Sequence, residues 1–205
     1  MGDSAYINNR AGVDSVLRAR ANECAPFENV YTLALRGLHD RAMNASNNMS
    51  DRKQMLQDAL MAQRKMLIDA TGKRGEDIPQ AFTPYKEVLD VYDEGLELPD
   101  DVTIIWPDDN YGYMKRLSSP KEQKRSGRSG VYYHSSYLGK PHDHLWMNTT
   151  SPTLMYEELR KAYDMTADRI WLLNAGDIKA CEFAVDFFLS MAYDIDSFNF
   201  DRAAA

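Results

Sequence analysis

The sequence lacks the features that mark several common classes of protein. Cys24 and Cys181 are its only two cysteines in 205 residues, too few for a disulfide framework. It has no run near the ~18 apolar residues of a membrane span and no apolar segment after Met1 typical of a signal peptide. Lys and Arg (24) are outnumbered by Asp and Glu (31), which gives a net charge of −7. Because nucleic acids and anionic membranes bind clustered cations, neither is an expected partner.

Recognisable cofactor motifs are also missing. No glycine-rich phosphate loop follows any predicted strand, so dinucleotide-binding and P-loop folds lose their main support. The basic run 121–128 is short and interrupted, which is typical of a solvated loop or helix face. His142 and His144 lie two residues apart without a third ligand, a weak metal pattern. We therefore expect no metal and no cofactor.

Short apolar runs alternate with longer stretches of helical period. The runs lack polar alternation, which indicates strands of a parallel sheet buried on both faces. The predicted strands are 30–36, 79–85, 102–106, 130–134 and 169–174. The predicted helices are 12–23, 51–71 (ended by Gly72), 86–94, one beginning at Ser151-Pro152, and 177–193, which carries Cys181 as a buried thiol. Segment 117–129 is polar and predicts a loop with one helical turn.

The order is one helix followed by five βα units, which predicts an α/β fold in a single domain, 1–205. An open doubly wound sheet and a piece of a (β/α)₈ barrel both fit this order. A complete barrel takes about 250 residues. If the fold is a barrel, five βα units in 205 residues make it a partial one.

Polar side chains collect just after the carboxyl ends of the predicted strands. In a parallel sheet these ends share one rim, where barrel enzymes keep their active sites. The segments that follow the five strands are 36–40, 85–87, 107–113, 134–137 and 174–177.

The chemistry of this rim suits an acidic sugar. Its carboxylates are Asp40, Glu87, Asp108 and Asp109. Glycoside hydrolysis needs two carboxyl groups, one as acid and one as base or nucleophile. Arg36 and His134 would suit a carboxylate on the sugar, since a guanidinium can bind it through two hydrogen bonds.

Each of these residues also has a purely structural interpretation. Asp40 could cap a helix or pair with Arg36, and Glu87 could stabilise a helix dipole. Asn110 and Asn174 could be turn residues, and His134 could be a satisfied structural histidine.

Five ordered motifs decide in favour of the barrel, because together they resemble glycoside hydrolase family 115, the xylan α-1,2-glucuronidases. The similarity runs from Glu28 to about Asp194. The motifs are Leu35-Arg-Gly-Leu-His-Asp40, Tyr85-Lys-Glu-Val-Leu-Asp90, the segment 100–113 with Trp106-Pro-Asp-Asp-Asn-Tyr-Gly-Tyr113, Gly130-Val-Tyr-Tyr-His-Ser-Ser-Tyr-Leu-Gly139, and Trp171-Leu-Leu-Asn-Ala-Gly-Asp177.

The resemblance implies removal of glucuronic acid, or its 4-O-methyl form, from xylan by an inverting reaction on a (β/α)₈ barrel. It implies a secreted or periplasmic setting. Glu87 is predicted as general acid and Asp40 as general base, although the two roles could be exchanged. Inversion predicts about 6.5–9.5 Å between their carboxyl groups. Substrate binding is assigned to Arg36, Asn110, His134 and Asn174, and to Lys86, Asp109 and Tyr111 in the same motifs.

The sequence departs from the family in two ways. Leu38 and His39 interrupt an Arg-Gly-Asp-Gly-Asp-like pattern, and nothing matches the family's earlier barrel strands. We therefore expect the C-terminal portion of a barrel, with little activity on its own and an exposed sheet edge open to self-association. A non-catalytic or degenerate carbohydrate-binding fragment is the alternative.

Overall fold

Parallel strands alternating with helices make up most of the chain. The structure is a computed structural model that describes residues 5–37, 41–139, 142–144 and 147–203. The side chains at 138, 142–144, 202 and 203 are outside this description. Asp40, the predicted general base, also lies outside the described residues.

The helices and strands occur close to the predicted positions. The helices are α1 (Arg10–Cys24), α2 (Met49–Thr71), α3 (Glu87–Asp93), α4 (Pro152–Asp164), α5 (Glu182–Tyr193) and α6 (Phe200–Ala203). The strands are β1 (Tyr31–Thr32), β2 (Gln80–Phe82), β3 (Thr103–Pro107), β4 (Ser129–His134), β5 (Leu138–Gly139), β6 (His142–His144) and β7 (Trp171–Asn174). Single 3₁₀ turns lie at Gly75–Asp77, Glu122–Lys124 and Ile178–Ala180.

The chain forms two compact units, Met1–Thr103 and Ile104–Ala205. In the first unit β1 and β2 pair in parallel, with Tyr31 opposite Gln80. The pair is shorter than predicted because Pro79 and Pro84 flank β2, and a proline has no N–H to donate to a neighbouring strand. The apolar faces of α1, α2 and α3 pack with this pair into one core. The core includes Leu33, Leu56, Leu60, Phe82 and Val91.

Helix α2 has clear signals at both ends. The side chain of Asn48 accepts hydrogen bonds from the N–H groups of Ser50 (2.8 Å) and Asp51 (3.3 Å), as an N-cap does. Gly72 ends the helix in the left-handed conformation (φ 67°) and donates to the Ile68 carbonyl. The predicted stop at Gly72 is confirmed.

In the second unit β4 lies between β3 and β7, and all three strands are parallel. Trp106 is opposite Val131, and His134 is opposite Asn174. Trp106 and Val131 are fully buried, as are Tyr133 of β4 and Phe188 of α5, whose rings stack at 6.4 Å. These residues form the packed interior that fixes the ends of β3, β4 and β7.

The connection from β3 to β4 contains a single 3₁₀ turn, as predicted by the polar segment 117–129. Other elements differ from the prediction. The antiparallel pair of β5 and β6 was not predicted. Helix α5 begins at Glu182 instead of 177, and Cys181, buried as predicted, is its N-cap residue.

The predicted fold class is confirmed, since five parallel strands with intervening helices are consistent with a partial (β/α) barrel. Within the described part of the chain, no helix combines the length and apolar character needed to cross a bilayer.

Candidate active site

In the first unit, the residues after β1 and β2 form an ion pair. The Nη1 atom of Arg36 donates to both carboxylate oxygens of Glu87, each at 3.1 Å. The backbone N–H of Met43 donates to Glu87 Oε1 at 3.1 Å. The side chains of Arg36 and Glu87 are 20% and 21% exposed, so the pair is accessible but mostly shielded. These contacts fix the orientation of the Glu87 carboxylate beside the Arg36 guanidinium.

The backbone just before Glu87 is strained. Lys86 has φ 53° and ψ −123°, a region that residues other than glycine rarely adopt. This turn makes Glu87 the first residue of α3. The Lys86 ammonium lies 5.0 Å from the centre of the Tyr85 ring, and the Arg36 guanidinium lies 5.5 Å from the same ring. Two cations therefore lie beside a single aromatic ring.

In the second unit, a buried carboxylate contacts one residue of the loop after β3 and one residue at the end of β4. Asp108 is 3% exposed and His134 is 2% exposed. Asp108 Oδ1 lies 2.6 Å from His134 Nδ1, and Asp108 Oδ2 accepts the His134 backbone N–H at 2.9 Å. The Asn110 N–H donates to Asp108 Oδ1 at 3.0 Å, and Asn110 has φ 73°.

Asn174 joins this group from β7. Its Nδ2 atom donates to the Tyr132 hydroxyl at 2.6 Å. The Tyr132 and His134 rings lie 4.7 Å apart, and the Tyr137 ring contacts His134 edge-on at 5.6 Å. The register of β4 and β7 therefore brings together two of the predicted sugar-binding residues, His134 and Asn174.

Asp109 and Tyr111 lie in the loop after β3. Asp109 Oδ1 accepts the N–H groups of Tyr111 (2.9 Å) and Tyr113 (3.2 Å), so this carboxylate shapes the loop after β3. Tyr111 is 40% exposed and Tyr113 is 56% exposed. Gly112, between them, has φ 93°, and a Cβ at this position would lie 2.7 Å from Thr150 Cγ2. The loop therefore exposes two aromatic residues, while its backbone at Gly112 is tightly packed.

The Tyr133 side chain supports this loop from below. Its hydroxyl donates to the Gly112 carbonyl at 2.8 Å. Burial raises the pKa of Tyr133 above its usual value, and the negative charge of Asp108 raises it further. Tyr133 is therefore a neutral donor in the folded chain.

Sequence reasoning missed the groups that connect these residues. It named Asp108 among the rim carboxylates but not its bond to His134, and it missed Tyr132 and the Met43 N–H. The Asp108–His134 pair spans 26 residues, so no local pattern reveals it. The predictions for Asp40, His142 and His144 concern side chains outside the described residues. Among the described side chains, no group of three His, Cys, Asp or Glu residues could hold a metal ion.

The family model described as glycosyl hydrolase family 115 matches residues 1–205. The chain belongs to glycosyl hydrolase family 115. No curated protein matches it significantly.

A solved structure described as "a novel family GH115 4-O-Methyl-alpha-glucuronidase, BtGH115A, with specificity for decorated arabinogalactans" is similar to the family 115 chain. The two share 41% sequence identity and superpose with a TM-score of 0.94. The match covers 99% of this chain and 27% of the other, so the chain spans about a quarter of that protein's length.

Proposed function

We propose that this chain supplies part of the active site of an α-glucuronidase that removes glucuronic acid, or its 4-O-methyl form, from glucuronoxylan. Family 115 membership supports a glycoside hydrolase. The observation that carries the sugar assignment is the contact of Arg36 with both oxygens of Glu87. A guanidinium that binds a carboxylate through one of its nitrogens, beside a second cation at Lys86, is suited to bind the carboxylate of a uronic acid.

Glu87 is assigned as the general acid that protonates the leaving oxygen, and Asp40 would activate the attacking water. A uronate carboxylate that binds the Arg36 guanidinium would compete with Glu87 for this cation. The two roles could be exchanged.

The α-1,2 linkage, the inverting course and a secreted or periplasmic location belong to the same proposal and rest on the family resemblance. Inversion of an α-glucuronide gives the β-anomer as the first product. Nuclear magnetic resonance of freshly released sugar, recorded before mutarotation, distinguishes inversion from retention.

The test is a chimera in which this chain replaces the corresponding segment of the similar 4-O-methyl-α-glucuronidase. The match over 99% of this chain with a TM-score of 0.94 makes the exchange structurally reasonable. We expect release of (4-O-methyl)glucuronate from glucuronoxylan, with decorated arabinogalactan assayed in parallel. A folded but inactive chimera would contradict the proposal.

Within this chimera, Glu87→Gln and Asp40→Asn should each lower kcat by at least about 100-fold, the usual contribution of an acid or base catalyst. Glu182→Gln is the matched control, because Glu182 is an exposed carboxylate of α5 paired with Lys179. Its activity should equal that of the unmodified chimera. Unchanged rates in both Glu87→Gln and Asp40→Asn would end the assignment of roles.

A further inference from the structure

One buried carboxylate, Asp108, contacts two residues assigned to sugar binding. It accepts hydrogen bonds from the backbone N–H groups of His134 and Asn110, and its Oδ1 atom lies 2.6 Å from His134 Nδ1. We propose that Asp108 is a positioning residue that holds His134 in the tautomer with Nδ1 protonated and holds Asn110 in its left-handed turn. This inference rests on the proposed function, because it assigns His134 and Asn110 to the sugar.

The tautomer follows from the hydrogen-bonding capacity of the groups. An ionised carboxylate only accepts hydrogen bonds, so the proton in the Asp108–His134 contact belongs to Nδ1. In the neutral ring Nε2 is then an acceptor for a sugar hydroxyl, and in the imidazolium it donates to a carboxylate. A histidine without this partner interconverts between two tautomers, and one of them would place a donor on Nε2 of the neutral ring.

The same carboxylate also supports the backbone of Asn110. With φ 73°, Asn110 occupies a conformation that is unfavourable for most side chains but that asparagine tolerates. The bond from its N–H to Asp108 Oδ1 (3.0 Å) closes the turn at this residue. Removal of the carboxylate therefore affects the orientation of both side chains.

The neighbouring Asp109 shows a division of roles within one loop. Among the described residues, its Oδ1 atom accepts hydrogen bonds from the backbone N–H groups of Tyr111 and Tyr113. Asp108 is buried, whereas Asp109 is partly exposed. The Asp108 side chain therefore contacts His134 of β4 as well as Asn110, whereas the Asp109 side chain bonds within its own loop.

The first experiment measures the tautomer of His134 in the 205-residue chain. The chain has four histidines, so ¹⁵N-resolved ring spectra are tractable, and His134→Gln assigns the signal. At pH values where the ring is neutral, we expect a protonated Nδ1 and an unprotonated Nε2. The opposite tautomer, or the averaged signals of an exchanging ring, would overturn the proposal.

The second experiment compares Asp108→Ala with Asp168→Asn. Asp168 pairs with Arg128 at 2.6 Å, next to the amino end of β4, so its variant loses a carboxylate away from the site residues. We expect Asp108→Ala to lose the single tautomer and to bind D-glucuronate about tenfold or more weakly, because a hydrogen bond to a charged group is removed. Asp168→Asn should keep both properties.

The outcomes separate this inference from the proposed function. If Asp108→Ala melts at a lower temperature but keeps the His134 tautomer and the affinity for glucuronate, Asp108 is only structural and the inference is wrong. If the unmodified chain does not bind glucuronate, the proposed function loses support, while the His134 spectrum still decides the inference. If Asp108→Ala does not fold, the spectrum of the unmodified chain decides it alone.

Discussion

At the scale of single residues, Lys86 combines backbone strain with a position beside the predicted acid. A non-glycine residue in such a region costs about 1–3 kcal/mol. The strained turn immediately precedes Glu87, whose carboxylate meets Arg36 at 3.1 Å. Strain of this kind persists where the surrounding structure requires it, which agrees with a functional role for the turn.

Replacement of Lys86 by glycine should therefore stabilise the chain. Glycine adopts φ 53° without steric conflict, but its greater freedom when unfolded offsets about 0.5–1 kcal/mol of the gain. We expect a net increase of about 1 kcal/mol in the free energy of unfolding by urea denaturation. Lys86→Ala removes the ammonium but keeps a Cβ, so it should show no such gain. Equal stability of the two variants would contradict the strain argument.

At the scale of elements, the start of α2 depends on one side chain. Asn48 accepts two of the first N–H groups of the helix. Asn48→Ala should lower the free energy of unfolding by about 1 kcal/mol, because these donors lose their partner. Asn48→Asp keeps an acceptor and should stay near the original stability, as thermal melts of the three proteins would show. A loss as large in Asn48→Asp would contradict a capping role.

Tyr133 in β4 should make the free energy of unfolding depend on pH in the alkaline range. Burial raises the pKa of Tyr133 in the folded chain above its ordinary value of 10.0. The unfolded chain therefore loses this proton first as pH rises, so the stability contributed by neutral Tyr133 is complete below about pH 10 and declines above it.

Tyr133→Phe removes this titration together with the bond to the Gly112 carbonyl. Urea midpoints between about pH 9 and 11 should fall less steeply in the variant than in the original chain. Some alkaline loss should remain, because burial also raises the pKa of Tyr6. Identical slopes would show that Tyr133 is not the responsible group.

At the scale of the whole molecule, β7 lies at one edge of the sheet. It pairs with β4, and no strand among the described residues pairs with its other side. Leu172 in this strand is 46% exposed. Unpaired strand edges with apolar side chains favour association with another chain.

We expect the mass of the 205-residue chain in sedimentation equilibrium to rise with concentration. Leu172→Lys should reduce this association, since an edge lysine opposes strand pairing. Leu189→Lys is the matched control, because Leu189 is an exposed leucine (56%) on α5. A monomer at every concentration, or equal effects of the two variants, would contradict association through β7.

The isolated chain should also release little glucuronate compared with the chimera. It spans 27% of the similar glucuronidase, so most of that protein has no counterpart in this chain. Efficient release by the chain alone, measured on the same glucuronoxylan, would show that no other segment is required.

Much of the fold could be predicted from local patterns. The apolar period of α2 and its stop at Gly72 are properties of contiguous residues, and the structure confirms them. The lengths of the strands are less predictable, because pairing depends on the neighbour. The apolar run 30–36 forms a strand of two residues since β2, its partner, is flanked by prolines.

The sequence by itself determined the alternation of strands and helices, the family, and the location of the candidate residues at strand ends. The tertiary structure alone decided their partners. Asp108 and Asp109 are adjacent and chemically identical, yet one binds His134 across 26 residues and the other binds its own loop. The reason is physical, since local hydrogen bonds follow from the order of residues, whereas a buried pair forms only where the register of parallel strands brings distant groups together.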